Sequence, residues 1–389
     1  MGTSSRVDPQ QIRETFKKTW NEEPLLVRSP GRVNLIGEHT DYNQGFVMPA
    51  AIDKAIFFAL SASGSDRCSV IASNLPDSFE FSLGAWGKSD QGWPNYLLGV
   101  VEQIQDMDLR LRGFNCVFGG DIPVGAGLSS SAALECGLAF ALNELFALGM
   151  DKWSLARLSQ RAEQEFVGLE CGIMDQFANL FGLQDHFLLL DCHSLDYQAL
   201  PFLFEEVEIL LFDTRVAHSL AASEYNLRRR QCEQGVRYLQ RFFPGLRSLR
   251  DVSVEMLEEK REEMDAETWR RCAYVVRENA RVLQVGEALR EGRLEWMGEK
   301  MFDSHAGLRD DYEVSCPQLD HLVELAASEK GVLGARLMGG GFGGCTINLV
   351  RSDAVAEASD RIQSGYQAKF GKDLGVYAVA IGPGTSLLT

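Results

Sequence analysis

The chain contains no apolar run of the roughly 20 residues needed to cross a bilayer, and its opening, MGTSSRVDPQQIRETFKKTW, lacks the apolar stretch of a secretory signal. Both absences point to a cytoplasmic protein. MGTSS starts like a myristoylation pattern, but Arg6 stands where Ser or Thr is required, so lipidation is not expected. Nine cysteines occur without a single C-x-x-C pair, which leaves no zinc cluster and reads as small buried residues in a reducing compartment. Basic charge is also in deficit. With 38 Lys and Arg against 55 Asp and Glu, the formal charge of −17 repels nucleic acid and anionic membrane surfaces. A small anion is not excluded, because backbone N–H groups and a divalent cation can outweigh a screened global field. Internal repeats, linkers and low-complexity tracts are absent.

What is present is the makings of two packed lobes. The length of 389 residues suggests about two domains, and 45% hydrophobic with 24% charged residues is an ordinary globular balance. Pattern and turn signals predict a first helix from Pro9 to Trp20, then strands in GFVMPAAI, AIFFALSAS, CSVIAS and FEFSL, a helix in NYLLGVVEQIQ and a strand in GFNCVFGGDIP. A long apolar helix follows in SSSAALECGLAFALNELFALG, then helices in WSLARLSQRAEQEFVG and GIMDQFANLFG, and HFLLLDC and VEILLFDT read as paired strands. The second half carries charged helices from Ser223 to about Arg241 and from about Ala266 to Leu289, then VLGARLMGGGFGGCTINLV and a final strand, GVYAVAIG. The expected class is α+β with mixed sheets and flanking helices. The lobes divide near residue 200, into 1–200 and 201–389.

Two segments carry the chemistry. GRVNLIGEHTDY, residues 31 to 42, sets Arg32, Glu38, His39, Thr40 and Asp41 beside Val33, Leu35 and Ile36, which want burial, so the polar groups are expected to line a cavity. PVGAGLSSSAALE places Gly125, Ala126, Gly127, Leu128, Ser129, Ser130 and Ser131 between a strand and a helix. Glycines allow close approach to an anion, and the free N–H groups of the helix start stabilise its charge, which suits a phosphate. No Gly-Lys-Ser/Thr follows, so this is not a Walker A loop. From the residues alone, a glycine turn with serine caps is equally admissible. Asp175, in CGIMDQF, reads most simply as a helix N-cap, and Glu163, in RAEQEF, as a solvated helix face.

Three separated stretches, GRVNLIGEHTDYNQGFVMPAAI, PVGAGLSSSAALE and LMGGGFGGCTINLV, resemble in order the motifs of the galactokinase family within the GHMP kinase superfamily; CGIMDQF, SEYNLRRRQCE and DDYEVSCPQLD resemble it between them. The resemblance covers nearly the whole chain, and GEHTDYN is close to specific for the galactokinase branch. It implies a two-lobed GHMP kinase fold with the active site between the lobes. It further implies that Glu38, His39, Thr40, Asp41, Gly172 and Tyr225 hold a sugar, that Asp175 is the catalytic base and that Arg32 stabilises the transferring phosphoryl group. Gly125 to Ser131 would hold the phosphates of ATP, Trp93 and Tyr96 the adenine, and Ser131 with Glu163 the Mg²⁺. Structural roles for Arg32, His39 and Trp93 stay open beside these.

The reaction implied is ATP-dependent phosphorylation of the anomeric hydroxyl of galactose, the opening step of galactose catabolism, by a monomer with no nucleic-acid or membrane partner. Another kinase of the superfamily, such as one acting on N-acetylgalactosamine, and a galactose and ATP sensor without turnover are the alternatives. Relatives of the sensor kind are degraded in the phosphate loop, whereas Ser131 and Ala132 are present here.

Overall fold

The computed structural model describes residues 8–74, 78–123, 125–216 and 221–388. The expected first helix spans Pro9–Trp20, with Asp8 capping it through Gln10 N and proline at its start. The myristoylation-like start falls on residues 1–7, outside the described residues, as does Val124 of the glycine loop.

Three sheets form among the described residues. The largest runs in the order Ser386–Leu388, Leu25–Asn34, Pro49–Ala62, Phe114–Gly120, Arg67–Ala72 and Ser78–Ser82, antiparallel except where Arg67–Ala72 pairs with Phe114–Gly120. GFVMPAAI and AIFFALSAS are therefore largely one strand, Pro49–Ala62, buried at most positions on both faces. The long helix Ser130–Phe146 packs on this sheet with apolar residues nearly all round, as a helix buried on most sides must. Strand Leu25–Asn34 bulges between Pro30 and Arg32 against Pro49–Ala62, next to the position of Arg32.

A second sheet, Val332–Leu337, Cys345–Arg351, Val207–Asp213 and Gly375–Val379, is antiparallel throughout. A third, Phe46–Val47, His186–Asp191 and Tyr197–Pro201, corrects one expectation: HFLLLDC and VEILLFDT do not pair with each other. The first pairs with Tyr197–Pro201, an exposed edge strand whose one buried residue, Leu200, leaves no hydrophobic alternation to read. The last three-residue strand was likewise invisible, being too short for any period; it returns the end of the chain to the edge of the first sheet.

The second half grips the segment after Asn34 from several sides. Arg336, in the strand Val332–Leu337, is fully buried; its Nε donates to Leu35 O at 2.8 Å, its Nη1 to Leu337 O at 2.6 Å, and Nη2 to Asn34 O. Its Nη1 and Nη2 also reach Glu38 Oε1 at 3.2 Å. From the helix Ala266–Arg290, Tyr274 donates to Glu38 O at 3.0 Å, Glu278 accepts from Gly37 N at 3.0 Å and Asn279 from Phe46 N at 3.0 Å. Substituting Arg336→Met strips a buried carboxylate of its counter-charge, so urea unfolding should show a loss of about 3 to 5 kcal/mol, the range for breaking a buried pair from one side. A loss below about 1 kcal/mol would mean that Glu38 finds water instead.

Candidate active site

The residues after the strand Leu25–Asn34 line a cavity of about 260 Å³ with groups from distant parts of the chain. Of the expected site residues, Arg32, Glu38, His39, Asp41, Ser131, Glu163, Gly172, Asp175 and Tyr225 all face it. Gly339, Gly340 and Gly341 close one side, so the third glycine motif lies against the site.

Asp175 is the second described residue of the helix Met174–Phe181, which has Ile173 at its N-cap and no side-chain cap. The plain N-cap reading of Asp175 is therefore wrong. Its Oδ1 accepts from Arg32 Nε at 2.8 Å and its Oδ2 from Arg32 Nη2 at 3.0 Å, a bidentate fork, and Ser129 Oγ also donates to Oδ2. Arg32 spends Nη1 on Gly127 O at 2.6 Å. Burial opposes the charge of Arg32, but Asp175 and Glu38 outweigh it and hold the guanidinium above its ordinary value.

Ser129 stands at the N-cap of the helix Ser130–Phe146 yet makes no cap, because its hydroxyl is turned to Asp175. The reading of this loop as serine caps thus fails, and the first N–H groups of the helix are left free of a side-chain cap. Gly125 and Gly127 take left-handed backbone angles that bring the chain round to this helix start. Ala126 and Leu128 point into the core, so what they contribute is backbone: Leu128 O accepts from Arg32 N at 3.2 Å.

On the opposite wall, Asp41 Oδ1 accepts from Tyr42 N at 2.9 Å and Oδ2 from Met174 N at 3.4 Å. Glycine at 172 leaves room for the carboxylate, since a Cβ there would lie 2.0 Å from Asp41 Oδ2 and displace it. Burial first, then the charge of Asp175, pushes Asp41 up to about 6. Glu38 is pinned by Arg336 and by Gly339 N at 2.9 Å. His39 is buried and held by burial near 3, thus neutral, with Nδ1 at 2.8 Å from Tyr42 OH and Nε2 at 3.2 Å from Gly340 O. Thr40 does not reach the cavity: it is fully buried and its hydroxyl lies 2.9 Å from Gly37 O and 2.6 Å from Phe46 O, where it ties the turn. Its expected contact with a sugar is corrected to this role.

Glu163 is buried, not on a solvated face. It lies in a π-helical turn, Ala162–Val167, that interrupts the expected helix, and such turns often re-aim functional side chains. Gln176 Nε2 donates to its Oε2 at 2.9 Å, Cys171 Sγ lies at 3.3 Å, and Ser131 also bonds it. Burial, then Asp175, pushes its carboxyl upward. Fully buried Glu135, one turn beyond Ser131, is pushed well above the ordinary range by burial and then by Glu163. Sequence reasoning gave Glu135 no role, and missed Arg336; an arginine within the apolar strand VLGARL was the available signal for the latter.

Trp93 and Tyr96, at the start of the helix Pro94–Asp106, do not line this cavity. Trp93 leans on Phe118 and Phe79 with ring centroids 5.3 and 6.3 Å away, and its buried indole N–H has no partner among the described residues. Tyr96 feels Glu163 and Glu135; burial and then these charges push it up to about 12. Among the described residues no group of three or more His, Cys, Asp or Glu is placed to hold a metal, and no helix is long and apolar enough to cross a membrane.

The fold and the glycine loop define a class. Residues 95–183 match the N-terminal domain of GHMP kinases and residues 287–368 their C-terminal domain. Residues 14–62 match the galactokinase galactose-binding signature. The chain is 43% identical over 372 residues to a galactokinase of Roseiflexus sp. (strain RS-1), covering 95% of each, and 42% identical over 365 residues to a Homo sapiens galactokinase, covering 92% of this chain and 91% of that one. The crystal structure of Lactococcus lactis galactokinase complexed with galactose superposes with a TM-score of 0.94 at 33% identity, over 97% of this chain and 99% of that one. The chain belongs to the galactokinase family.

The raised Asp41 has a consequence for stability. Because it binds its proton more tightly folded than unfolded, its contribution is fully favourable below pH 4 and is lost as pH rises through about 6. Asp41→Asn, which keeps an acceptor and removes the charge, should therefore melt higher than the parent at pH 7.5 and alike at pH 4. A lower melting temperature at pH 7.5 would mean that Asp41 serves chiefly to hold the turn.

Proposed function

We propose that the protein transfers the γ-phosphoryl group of ATP to the anomeric hydroxyl of galactose, giving galactose 1-phosphate and ADP. The observation that carries this reading is a juxtaposition: the signature wall of Glu38, Asp41 and Gly172 faces the Arg32–Asp175 pair, and that pair is bonded to the glycine loop just before an uncapped helix start. A polyol can be held by the wall while a phosphate sits on the helix N-terminus.

Asp175 then orients the attacking hydroxyl. Its Oδ2 already accepts two bonds and its Oδ1 one, so the open lone pair of Oδ1 is the place for the sugar hydroxyl and its proton. A loose phosphoryl-transfer transition state needs little activation of the nucleophile, so holding it in line is the larger part of this work. Arg32, fixed by Asp175 and Gly127 O, keeps N–H groups that no other described residue takes beside the glycine loop, where they offset charge on the transferring group. Asp41 and Glu38 accept sugar hydroxyls, and Tyr225 supplies an apolar wall. For adenine, Trp93 offers a ring face and an indole N–H that none of the described residues takes.

The donors near the loop fit a magnesium ion. Ser131 and Glu163 are hard oxygen ligands already bonded to each other, and two protein oxygens with phosphate and water are the usual set for this ion. Bound there, Mg²⁺ supplies positive charge beside the phosphates. Ser131→Ala and Glu163→Gln should each raise the Mg²⁺ concentration giving half-maximal activity; unchanged titrations in both would leave the ion to ATP and water.

The reaction itself is tested by ADP release with galactose, N-acetylgalactosamine, glucose and mevalonate. Release with galactose well above the others is expected, and sugar binding without release would make the protein a sensor. Asp175→Asn should lower kcat by a factor on the order of 10² or more while galactose still binds. Near-parental kcat in that variant would remove Asp175 from the reaction.

A further inference from the structure

Behind the cavity a line of polar groups runs from the signature segment into the second half of the chain, and nothing in the reaction above uses it. His39 Nε2 lies 3.2 Å from Gly340 O, His39 Nδ1 lies 2.8 Å from Tyr42 OH, Tyr42 OH lies 2.7 Å from Tyr312 OH, and Tyr312 OH lies 3.2 Å from Cys232 Sγ. His39, Tyr312 and Cys232 are buried and Tyr42 is partly buried.

The direction of every proton in this line follows from counting donors. The Gly340 carbonyl can only accept, so Nε2 carries the hydrogen. His39 is neutral, so Nδ1 is a bare acceptor and the Tyr42 hydroxyl must donate to it. That spends the one proton of Tyr42, so Tyr312 must donate to Tyr42. Tyr312 in turn has no proton left, and Cys232 donates through its S–H; burial pushes this thiol up to about 11, which keeps it protonated. The line has one self-consistent orientation, with a thiol as first donor and the third glycine motif as final acceptor.

Two members of the line are fixed through their backbone carbonyls. Tyr312 O accepts from Arg228 Nε at 2.8 Å, and Asn43 Nδ2 donates to His39 O at 2.9 Å, holding His39 at a left-handed φ of 62° that a non-glycine residue seldom adopts. Its rings also form a wall: the His39 centroid lies 5.1 Å from that of Tyr225 and 4.9 Å from that of Tyr312, and the Tyr42 centroid lies 5.3 Å from that of Tyr225. A Cβ on Gly340 would meet the Tyr225 ring at 3.2 Å.

We infer that Tyr42 and Tyr312 are positioning residues for sugar binding: they select the Nε2–H tautomer of His39 and through it hold the Gly340 carbonyl and the Tyr225 ring in place as walls of the cavity. Without a donor at Nδ1 the two tautomers become closer in energy, and the Nδ1–H form turns a lone pair toward the Gly340 carbonyl. The wall formed by Gly340 and Tyr225 then loosens. This inference rests on the cavity being the galactose site.

The test compares Tyr42→Phe, Tyr312→Phe and the double variant, each of which keeps the ring and removes only hydroxyls. Tyr42→Phe should raise KM for galactose about 5- to 30-fold, the range for one buried hydrogen bond lost, with the change falling on galactose and not on ATP KM or kcat. Tyr312→Phe should do less. Because Tyr312 acts only through Tyr42, the double variant should be no worse than Tyr42→Phe alone. In protein labelled with ¹⁵N-histidine, His39 should show the Nε2–H tautomer without titration between pH 5 and 8, and the Nδ1 signal should move in Tyr42→Phe. Equal losses for galactose and ATP together with a lower melting temperature, additive effects in the double variant, or an Nδ1–H tautomer in the parent would each overturn the inference. If the parent releases no ADP with galactose, the functional reading fails, and the histidine signals still judge the positioning of His39.

Discussion

One buried guanidinium holds this molecule's site together. Arg336 lies 298 positions from Glu38, yet it donates to Asn34 O, Leu35 O and Glu38 within a single planar fork. Those carbonyls belong to the point where the strand Leu25–Asn34 ends and the signature turn begins, so their buried polar atoms need partners that no neighbouring residue supplies. Lysine could not replace the fork, because a point charge on a flexible stem cannot meet three acceptors in one plane. Such a pair adds little net stability compared with apolar packing, since both charges are desolvated. What it does fix is which face of the signature turn meets the second half of the chain.

The cavity crowds several carboxyl groups with different partners into a small space. Asp175 is held by a bidentate arginine and a serine hydroxyl. Asp41, across from it, has two backbone N–H donors and, among the described residues, no cation within hydrogen-bond reach, and burial with the charge of Asp175 pushes it to about 6. Glu163 and Glu135 sit deeper and are pushed up by burial. Crowding acids in this way costs stability in the empty protein, and that strain is relieved by whatever brings positive charge or hydroxyl donors to them. The π-helical turn at Ala162–Val167 is part of the same arrangement, because it turns Glu163 inward from a helix whose surface pattern points outward.

Several features were legible because they rest on local chemistry. The helix Pro9–Trp20 announces itself through an aspartate cap and a proline start, and Ser130–Phe146 through an unbroken apolar run after a glycine loop. The strands of the first sheet carry β-branched and aromatic residues at readable intervals. Where the reading failed, local signal was missing or misleading. Tyr197–Pro201 is an exposed edge with one buried side chain, and Ser386–Leu388 is too short for a period. Asp175 looked like a cap because aspartates near helix starts usually are; nothing local shows that Arg32 and Ser129 arrive to claim it.

The sequence by itself determined the chemical inventory of this protein: an arginine, four carboxylates and a histidine in recognisable stretches, a glycine loop ahead of a helix, and the class of fold that such motifs accompany. Tertiary structure alone decided what each group does. Thr40 and His39 are neighbours in one motif, but Thr40 turns inward to tie Gly37 and Phe46 while His39 turns to Gly340, and the motif does not say which. Periodicity encodes which side of an element is buried. It does not encode the partner of a buried polar atom, because that partner is supplied by whichever distant segment the packing brings within 3 Å, and here those segments lie hundreds of residues away.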